Sequence, residues 1–465
     1  MRSAATGSNT TSSKSNLPNA IAMRLSILAL LLYLATVPLS AQEEAAVPAD
    51  VYTLRDAVDF ALLNSNAVRN ARVTILDAEQ NVRERLSSGL PQLNGSLDYT
   101  HYLKVPVLPL PEAFAMGDPN APTEIAFQLK NNFIGGLTLS SQLFDASFFV
   151  GLRAARASRS YYELQLEEVE RQVRNQVTQS YFPVLLLSTN VQIIDRNISN
   201  LQRSLREAEA QYAAGFVEQL DVDRLRLSLN NLQASRKDVA QQLENATRSL
   251  RFALNYPEDR ELQVADNLDD LELEVEEAAL LGDIPYTNRA ELRVLDQTLV
   301  LQDLNVELQR AAYLPRLTAI ASGQYQYQGD NLSDGFWAPT VLLGVSATIP
   351  IVDFGGRSSR LERARLAKEQ VENQRDDLRR SIALEITNAR GTFTTARERL
   401  QTTRGNLDLA QRIYDTTQIK YREGVGSSIE TVQAEQQLYE AQANYLNALY
   451  DTLVAKETLY LALGR

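Results

Sequence analysis

The sequence predicts an α+β membrane protein whose strands form part of a barrel wall and run on into very long coiled-coil helices. Three observations predict it. A strand-to-helix junction occurs twice, once through Gly135-Gly136-Leu137-Thr138-Leu139 to Phe144-Asp145, and again through Gly344-Val345-Ser346-Ala347-Thr348-Ile349 to Phe354-Gly355-Gly356. Each junction passes from a period of two to a helical period with almost no loop between. Four segments in all alternate apolar with polar residues, and the long helical segments carry heptad seams.

Bulk composition narrows the function. Among 465 residues there are 46 basic and 58 acidic ones, a formal charge of −12. A leader over residues 1–41 holds Arg2, Lys14 and Arg24 and no acid, so its removal leaves 43 basic residues against all 58 acids. Nucleic acid is thereby excluded as a partner, because phosphate binding needs a basic face. There is no Cys, and His101 is the only His. Thiol chemistry, disulfides and His-based triads or zinc sites are out of reach, and no enzyme, metal site or cofactor is expected.

Residues 24–41 have the layout of a secretory signal. Arg24 supplies the charge, Ile27 to Val37 the apolar stretch, and Leu39-Ser40-Ala41 a cleavage site. Met23 is the more natural start. No other apolar run is long enough for a spanning helix, so a membrane passage has to be made by strands.

In chain order, Thr53 to Ser88 is expected as one helix, with Leu54, Ala57, Val58, Ala61 and Leu62 at helical spacing. Gln92 to Lys104 alternates cleanly, with Leu93, Gly95, Leu97, Tyr99, His101 and Leu103 on one face. Those 13 residues reach about 43 Å, ample for a tilted membrane strand. Five prolines mark residues 105–130 as a long loop, and alternation resumes from Phe133 to Leu143. A helix from Ser147 to Ala214 follows, about 100 Å long at ~1.5 Å per residue. Its apolar positions Val184, Leu187, Val191, Ile194, Ile198, Leu201, Leu205, Ala208 and Tyr212 step by 3 and 4, a left-handed coiled-coil seam, and Pro183 is expected to bend it. After Gly215 a second helix starts near Asp221. Leu225, Leu229, Leu232, Val239, Leu243, Ala246 and Leu250 share the heptad, with Arg236 in one slot. The two therefore pair as an antiparallel hairpin.

Residues 256–283 form an acidic connector across the middle of the molecule, dividing a first repeat (50–255, hairpin 92–145) from a second (284–465, hairpin 316–352). Leu90-Pro91-Gln92-Leu93 recurs as Leu314-Pro315-Arg316-Leu317, and Tyr212-Ala213-Ala214-Gly215 as Tyr421-Arg422-Glu423-Gly424. Leu152 to Gly215 and Leu361 to Gly424 are both 63 residues apart. A long helix from Arg357 to Glu423 and a last one from Ser428 to Leu463 complete the plan.

A soluble sheet with one wet face has similar strands. Their length, the export signal and their arrival as two hairpins favour a membrane barrel. Four strands do not close one, since outer-membrane barrels need ~8 or more, so the chain must oligomerise to hide its open edges from lipid.

The duplicated strand–strand–long helix–turn–helix plan resembles the TolC family of outer-membrane efflux proteins. The motifs Leu90-Pro91-Gln92-Leu93, Leu314-Pro315-Arg316-Leu317, Val352-Asp353-Phe354-Gly355-Gly356-Arg357, Tyr421-Arg422-Glu423-Gly424 and Leu459-Tyr460-Leu461-Ala462-Leu463-Gly464 carry the resemblance, over about residues 50–465. It implies a homotrimer with a 12-stranded β-barrel, four strands from each chain, continuing into a coiled-coil periplasmic tunnel. It also implies a Gram-negative outer membrane, with a periplasmic adaptor protein and an inner-membrane transporter as partners. The function implied is the exit duct of a tripartite efflux or type I secretion system. The alternative is a trimeric structural stalk or adhesin with a barrel anchor, and a self-standing porin is disfavoured by the helical content.

The resemblance also implies a tunnel gate. Glu430 falls where the family places the first of two acids ringing the closed end, and neutral Gln433 departs from the second. Three carboxylates converging on an axis would raise one another's pKa, whereas a lone Glu430 is also a good acid for a helix N-terminus. Asp221 and Tyr421 match a hydrogen-bonded link between the hairpins. Gly426 replaces the family's companion Arg, leaving Arg422 or Arg224 as substitutes. Asp221 is equally a helix N-cap. Gly215, Phe216, Gly424 and Val425 match the turn tips that dock the adaptor, with Glu423 departing from a small apolar residue; both glycines also end helices in the left-handed conformation.

Overall fold

The structure, a computed structural model, describes residues 50–109, 124–258, 260–268, 271 and 275–464. The expected leader lies outside the described residues. The chain starts with a short strand β1 (Asp50–Tyr52), helix α1 (Leu54–Asn64) and helix α2 (Asn66–Ser88). Thr53 opens α1 in a capping box, its Oγ1 accepting the Asp56 N–H at 3.2 Å. The single helix expected over 53–88 is broken at Ser65. There ψ is 128°, and the Ser65 Oγ accepts the Ala67 N–H, so a serine that caps locally competes successfully with helix continuation.

Next come β2 (Gln92–His101), a short hairpin of β3 (Val107–Pro109) with β4 (Glu124–Ala126), and β5 (Asn131–Phe144). The strand expected to reach Lys104 stops at His101. The expected loop contains a hairpin, because Val107, Leu108 and Ile125 support strand pairing between the prolines. Helix α3 (Ala146–Ala213) runs unbroken through Pro183, and α4 (Gln219–Leu254) packs back along it. The heptad seam is real near the hairpin end: Leu201, Leu205 and Ala208 of α3 bury against Val222, Leu225 and Leu229 of α4. Arg236, the misfit in the seam, reaches Asp195 on α3 with donors at 2.6 and 3.1 Å.

The connector holds β6 (Leu262–Val264), which pairs in parallel with β1, and α5 (Glu277–Leu281). Tyr181 of α3 clamps this layer, its hydroxyl donating to Tyr52 O or Asp266 Oδ2 at 3.0 and 2.8 Å. The second half repeats the first with α6 (Ala290–Ala311), β7 (Arg316–Gly329), β8 (Gly335–Thr348), α7 (Gly356–Arg422) and α8 (Ser428–Ala462). The main apolar core lies where α1, the middle of α3, the end of α4 and α8 meet, around Tyr181, Leu185, Leu254 and Leu449.

The four long strands form one antiparallel sheet in the order β2-β5-β7-β8, with β2 and β8 as free edges. The register sorts its two faces. One stacks Leu93, Leu139, Ala321 and Leu343, then Gly95, Leu137, Gly323 and Val341, and is capped by an aromatic row of Tyr99, Phe133, Tyr327 and Trp337. The other carries Ser96, Gly136, Gln324 and Thr340, then Thr100, Asn132, Gln328 and Phe336. The apolar face is bare, with Leu97, Val341 and Leu343 each about four-fifths exposed. Along β8, the ten steps from Ala347 to Trp337 span about 33 Å of strand. Tilted by ~40°, they give a band of about 25 Å, the height of the apolar belt of an outer-membrane barrel. Among the described residues no helix is long and apolar enough to cross a membrane.

Candidate functional site

The two helical hairpins end in the same turn. Gly215 and Gly424 take φ of +81° and +73°, a conformation that costs an L-residue ~1–2 kcal/mol and glycine little. In each, an N–H three residues past the helix returns to a carbonyl five residues earlier, Phe216 to Gln211 at 2.9 Å and Val425 to Lys420 at 3.0 Å. This six-to-one bond satisfies a carbonyl that the helix end leaves open. It also pushes the next side chains outward: Phe216 is 82% and Val425 78% exposed.

Just beyond the turns, α4 and α8 begin side by side. Asp221, expected as the N-cap of α4, sits at its third position instead: Glu218 is the cap, and Asp221 reaches back to accept the Glu218 N–H at 3.4 Å, whereas Ser427 does cap α8, its Oγ accepting the Glu430 N–H at 3.3 Å. Between them lies a knot of three side chains. The Ser428 hydroxyl donates to Asp221 Oδ1. Arg224 Nη1 donates to Ser428 Oγ at 3.2 Å and stands 3.6 Å from Asp221 Oδ1. One carboxylate, one hydroxyl and one guanidinium thus tie together helices more than 200 residues apart in sequence.

The expected Asp221–Tyr421 hydrogen bond is not formed: the Asp221 carboxylate is taken by Ser428. The Tyr421 hydroxyl is enclosed without a partner, and burial together with the negative charge of Asp221 pushes it above the ordinary phenol value. Arg224, one of two substitutes considered for the missing arginine, joins the knot; Arg422 instead bonds Gln418 on its own helix at 3.0 Å. A Cβ on Gly426 would meet backbone of Lys420 and Tyr421 at 3.1 Å, so an arginine there needs the turn to shift. Glu430 and Gln433 stand exposed on α8, outside the knot.

Deeper contacts continue the tie. Ser228 of α4 reaches Glu435 of α8 at 3.5 Å, Asn197 of α3 donates to Gln442 of α8 at 2.8 Å, and Gln418 of α7 to Ser204 of α3 at 3.3 Å. Sequence reading missed Ser428 and Glu435. Ser428 hides beside Ser427 as apparent cap material. Glu435 falls among buried Thr431, Ala434 and Leu438 at helical spacing, and an acid on that stripe was the available signal. Among the described residues no group of three or more acids or histidines is placed to hold a metal ion.

A sheet with one apolar face, free edges and direct continuation into ~100 Å helices defines the wall segment of an oligomeric outer-membrane channel with a helical tunnel. The outer membrane efflux protein family matches residues 57–256 and 286–465, one stretch in each repeat. The chain belongs to that family. It is similar to the cation efflux system protein CusC of Escherichia coli (strain K12), 25% identical over 428 residues that cover 88% of this chain and 86% of CusC. The pyoverdine export outer membrane protein OpmQ of Pseudomonas aeruginosa is 24% identical over 409 residues, 87% of this chain and 83% of OpmQ. A CusC crystal structure superposes with a TM-score of 0.70 over 91% of this chain and 95% of that one, at 20% identity. The open-state MtrE channel of Neisseria gonorrhoeae gives 0.69 over 88% of each, at 16% identity.

The chain is therefore an outer-membrane efflux channel, with barrel and helical tunnel in one molecule. It works as a homotrimer with a periplasmic adaptor and an inner-membrane transporter.

Proposed function

We propose that this channel is a gated duct whose periplasmic end is held shut, within each protomer, by the Asp221–Ser428–Arg224 knot. The observation that carries this is the position of the knot: it joins the first turns of α4 and α8, one from each hairpin, next to the open tips. Separating the hairpins breaks hydrogen bonds to a partly buried charge, each worth about 1.5–3 kcal/mol. Tyr421 acts as the enclosing wall of the knot rather than its partner. Glu430 forms the axial ring of the trimer, at reduced charge because Gln433 is neutral. The tips, Gly215-Phe216 and Gly424-Val425, are the adaptor's docking surface. Solute passage, with no bond made or broken, is the activity.

The cargo is a small solute delivered by the transporter. Relatives named for cations and for pyoverdine share this architecture, which makes the transporter, not the duct, the element that selects cargo. The test is single-channel conductance of purified trimers in planar bilayers, wild type beside Ser428→Ala and Asp221→Ala. A small wild-type conductance that rises in both variants supports the knot. An unchanged conductance in both refutes it.

A further inference from the structure

One carboxyl group is buried where the two hairpins of a protomer meet. Glu435 lies seven residues beyond Ser428 on α8 and is 2% exposed. Its Oε1 accepts the Tyr439 hydroxyl at 2.8 Å, and its Oε2 accepts the Ser228 hydroxyl of α4 at 3.5 Å. Among the described residues no Lys or Arg forms an ion pair with it. The groups around it are neutral or apolar. Helix α4 brings Ser228 between Leu225 and Leu229; α3 brings Leu201 and Leu205 to the same apolar cluster; α7 brings Tyr414, whose hydroxyl accepts a bond from Gln418; and α8 itself brings Tyr439 and Val432.

We propose that Glu435 is a second tie between the hairpins, one that holds only while its carboxyl carries a proton. This rests on the gate reading above and extends it inward from the knot. A neutral carboxyl can sit in this seam with both its oxygens hydrogen-bonded. An ionised one without a cation cannot remain there cheaply, because nothing replaces the water it has lost.

Burial raises Glu435 above the ordinary carboxylate value, against the smaller pull of its bonds to Tyr439 and Ser228. Burial also pushes up Tyr414, to about 12, with the Glu435 charge adding to it. Tyr439 is raised too, first by burial and then by Glu435. The phenols therefore stay protonated throughout, and the carboxyl is the group that changes. Opening the hairpins hydrates Glu435 and returns it to its ordinary value. The closed state thus holds a proton that the open state releases. Closure is fully supported below the ordinary carboxylate range and loses support as pH rises through the raised value, by up to about tenfold per pH unit for each protomer.

The experiment is the same planar-bilayer conductance, scanned from about pH 5 to about pH 8, on wild type, Glu435→Gln, Ser228→Ala and Ser428→Ala trimers. Expected is a wild-type conductance that climbs with pH. Glu435→Gln should stay flat at the acid level, because its amide keeps the bonds and cannot ionise. Ser228→Ala should raise the acid-side conductance while keeping the climb, which tests the tie even where the glutamine variant fails to assemble. A Glu435→Gln trimer that climbs like wild type overturns the proposal and moves the titration elsewhere, Glu430 included. A flat wild type with an opened Ser428→Ala overturns the second tie alone. A flat wild type with an unchanged Ser428→Ala takes the gate reading down with it.

Discussion

Ser428 donates its hydroxyl proton to Asp221, and each of the two lies in the first turn of the helix that leaves a hairpin tip, Asp221 six residues past Gly215 and Ser428 four past Gly424. The repeat has thus built, from helix starts, a contact between its own two copies.

That contact should behave as a coupled pair. Asp221→Ala and Ser428→Ala each shift the closed-to-open equilibrium by roughly tenfold or more per protomer, from the loss of a hydrogen bond to a charge. The double variant should add little to either single one, because both remove the same bond. Conductance in a double-mutant cycle measures it, and full additivity would count against a shared contact.

The tips should be separable from the tie. Phe216→Asp with Val425→Asp places charge on two exposed apolar side chains that carry no packing. Trimer assembly and thermal stability should stay within experimental error, while capture of the periplasmic adaptor falls by about tenfold or more. A drop in both would mean that the tips serve folding.

The aromatic row fixes the depth of the barrel in the bilayer. Trp337 is the only tryptophan, so its fluorescence reports that row alone. Quenching by lipids brominated near the headgroup should exceed quenching by lipids brominated near the chain ends. Val341→Arg, four residues further along the apolar face, should cost about 2–4 kcal/mol of barrel stability, while Trp337→Arg costs ~0–1 kcal/mol for its charge. Equal costs would put the band elsewhere.

Below the barrel, Arg289 anchors the end of α8. It is 4% exposed and donates to Ala462 O at 2.7 Å and to Glu291 and Glu385. Arg289→Ala takes this donor from the Ala462 carbonyl and from Glu385, while Glu291 keeps Arg171, and should destabilise the protein by about 1.5–3 kcal/mol. Burial alone would raise the Glu291 carboxyl, but Arg289, with Arg171 adding its charge, overcomes this and holds it below the ordinary range. Its share of stability is present at neutral pH and lost as pH falls through that depressed value. Thermal melts of wild-type trimers should therefore drop on acidification, and less so in Arg289→Ala.

The helices and strands were legible because each obeys one period over a long stretch. The heptad of α3 is readable from Val184 to Ala208 without any tertiary information, and the two 63-residue spacings announce the duplication. Tertiary choices were not legible. Ser65 and Ser428 are ordinary helix-cap residues in sequence, and only packing decides that one breaks a helix and the other crosses to a second hairpin. The three-residue pairing of β1 with β6 has no periodic signal, since three residues are too few to alternate. Arg236 looked like an error in the seam until Asp195 was found opposite it. The resemblance paired Asp221 with Tyr421, and the structure pairs it with Ser428 instead, a hydroxyl two residues past Gly426 that sequence spacing does not single out.

The free edges of β2 and β8 also bear on inheritance. Each subunit must offer two intact borders, one to each neighbour, so a defect at either border is not confined to the chain that bears it. In a cell making equal amounts of sound and edge-damaged chains, random mixing leaves roughly one ring in eight free of damage. Lesions in these two strands should therefore be genetically dominant, whereas lesions in the solvent-facing stretches of the long helices should be recessive.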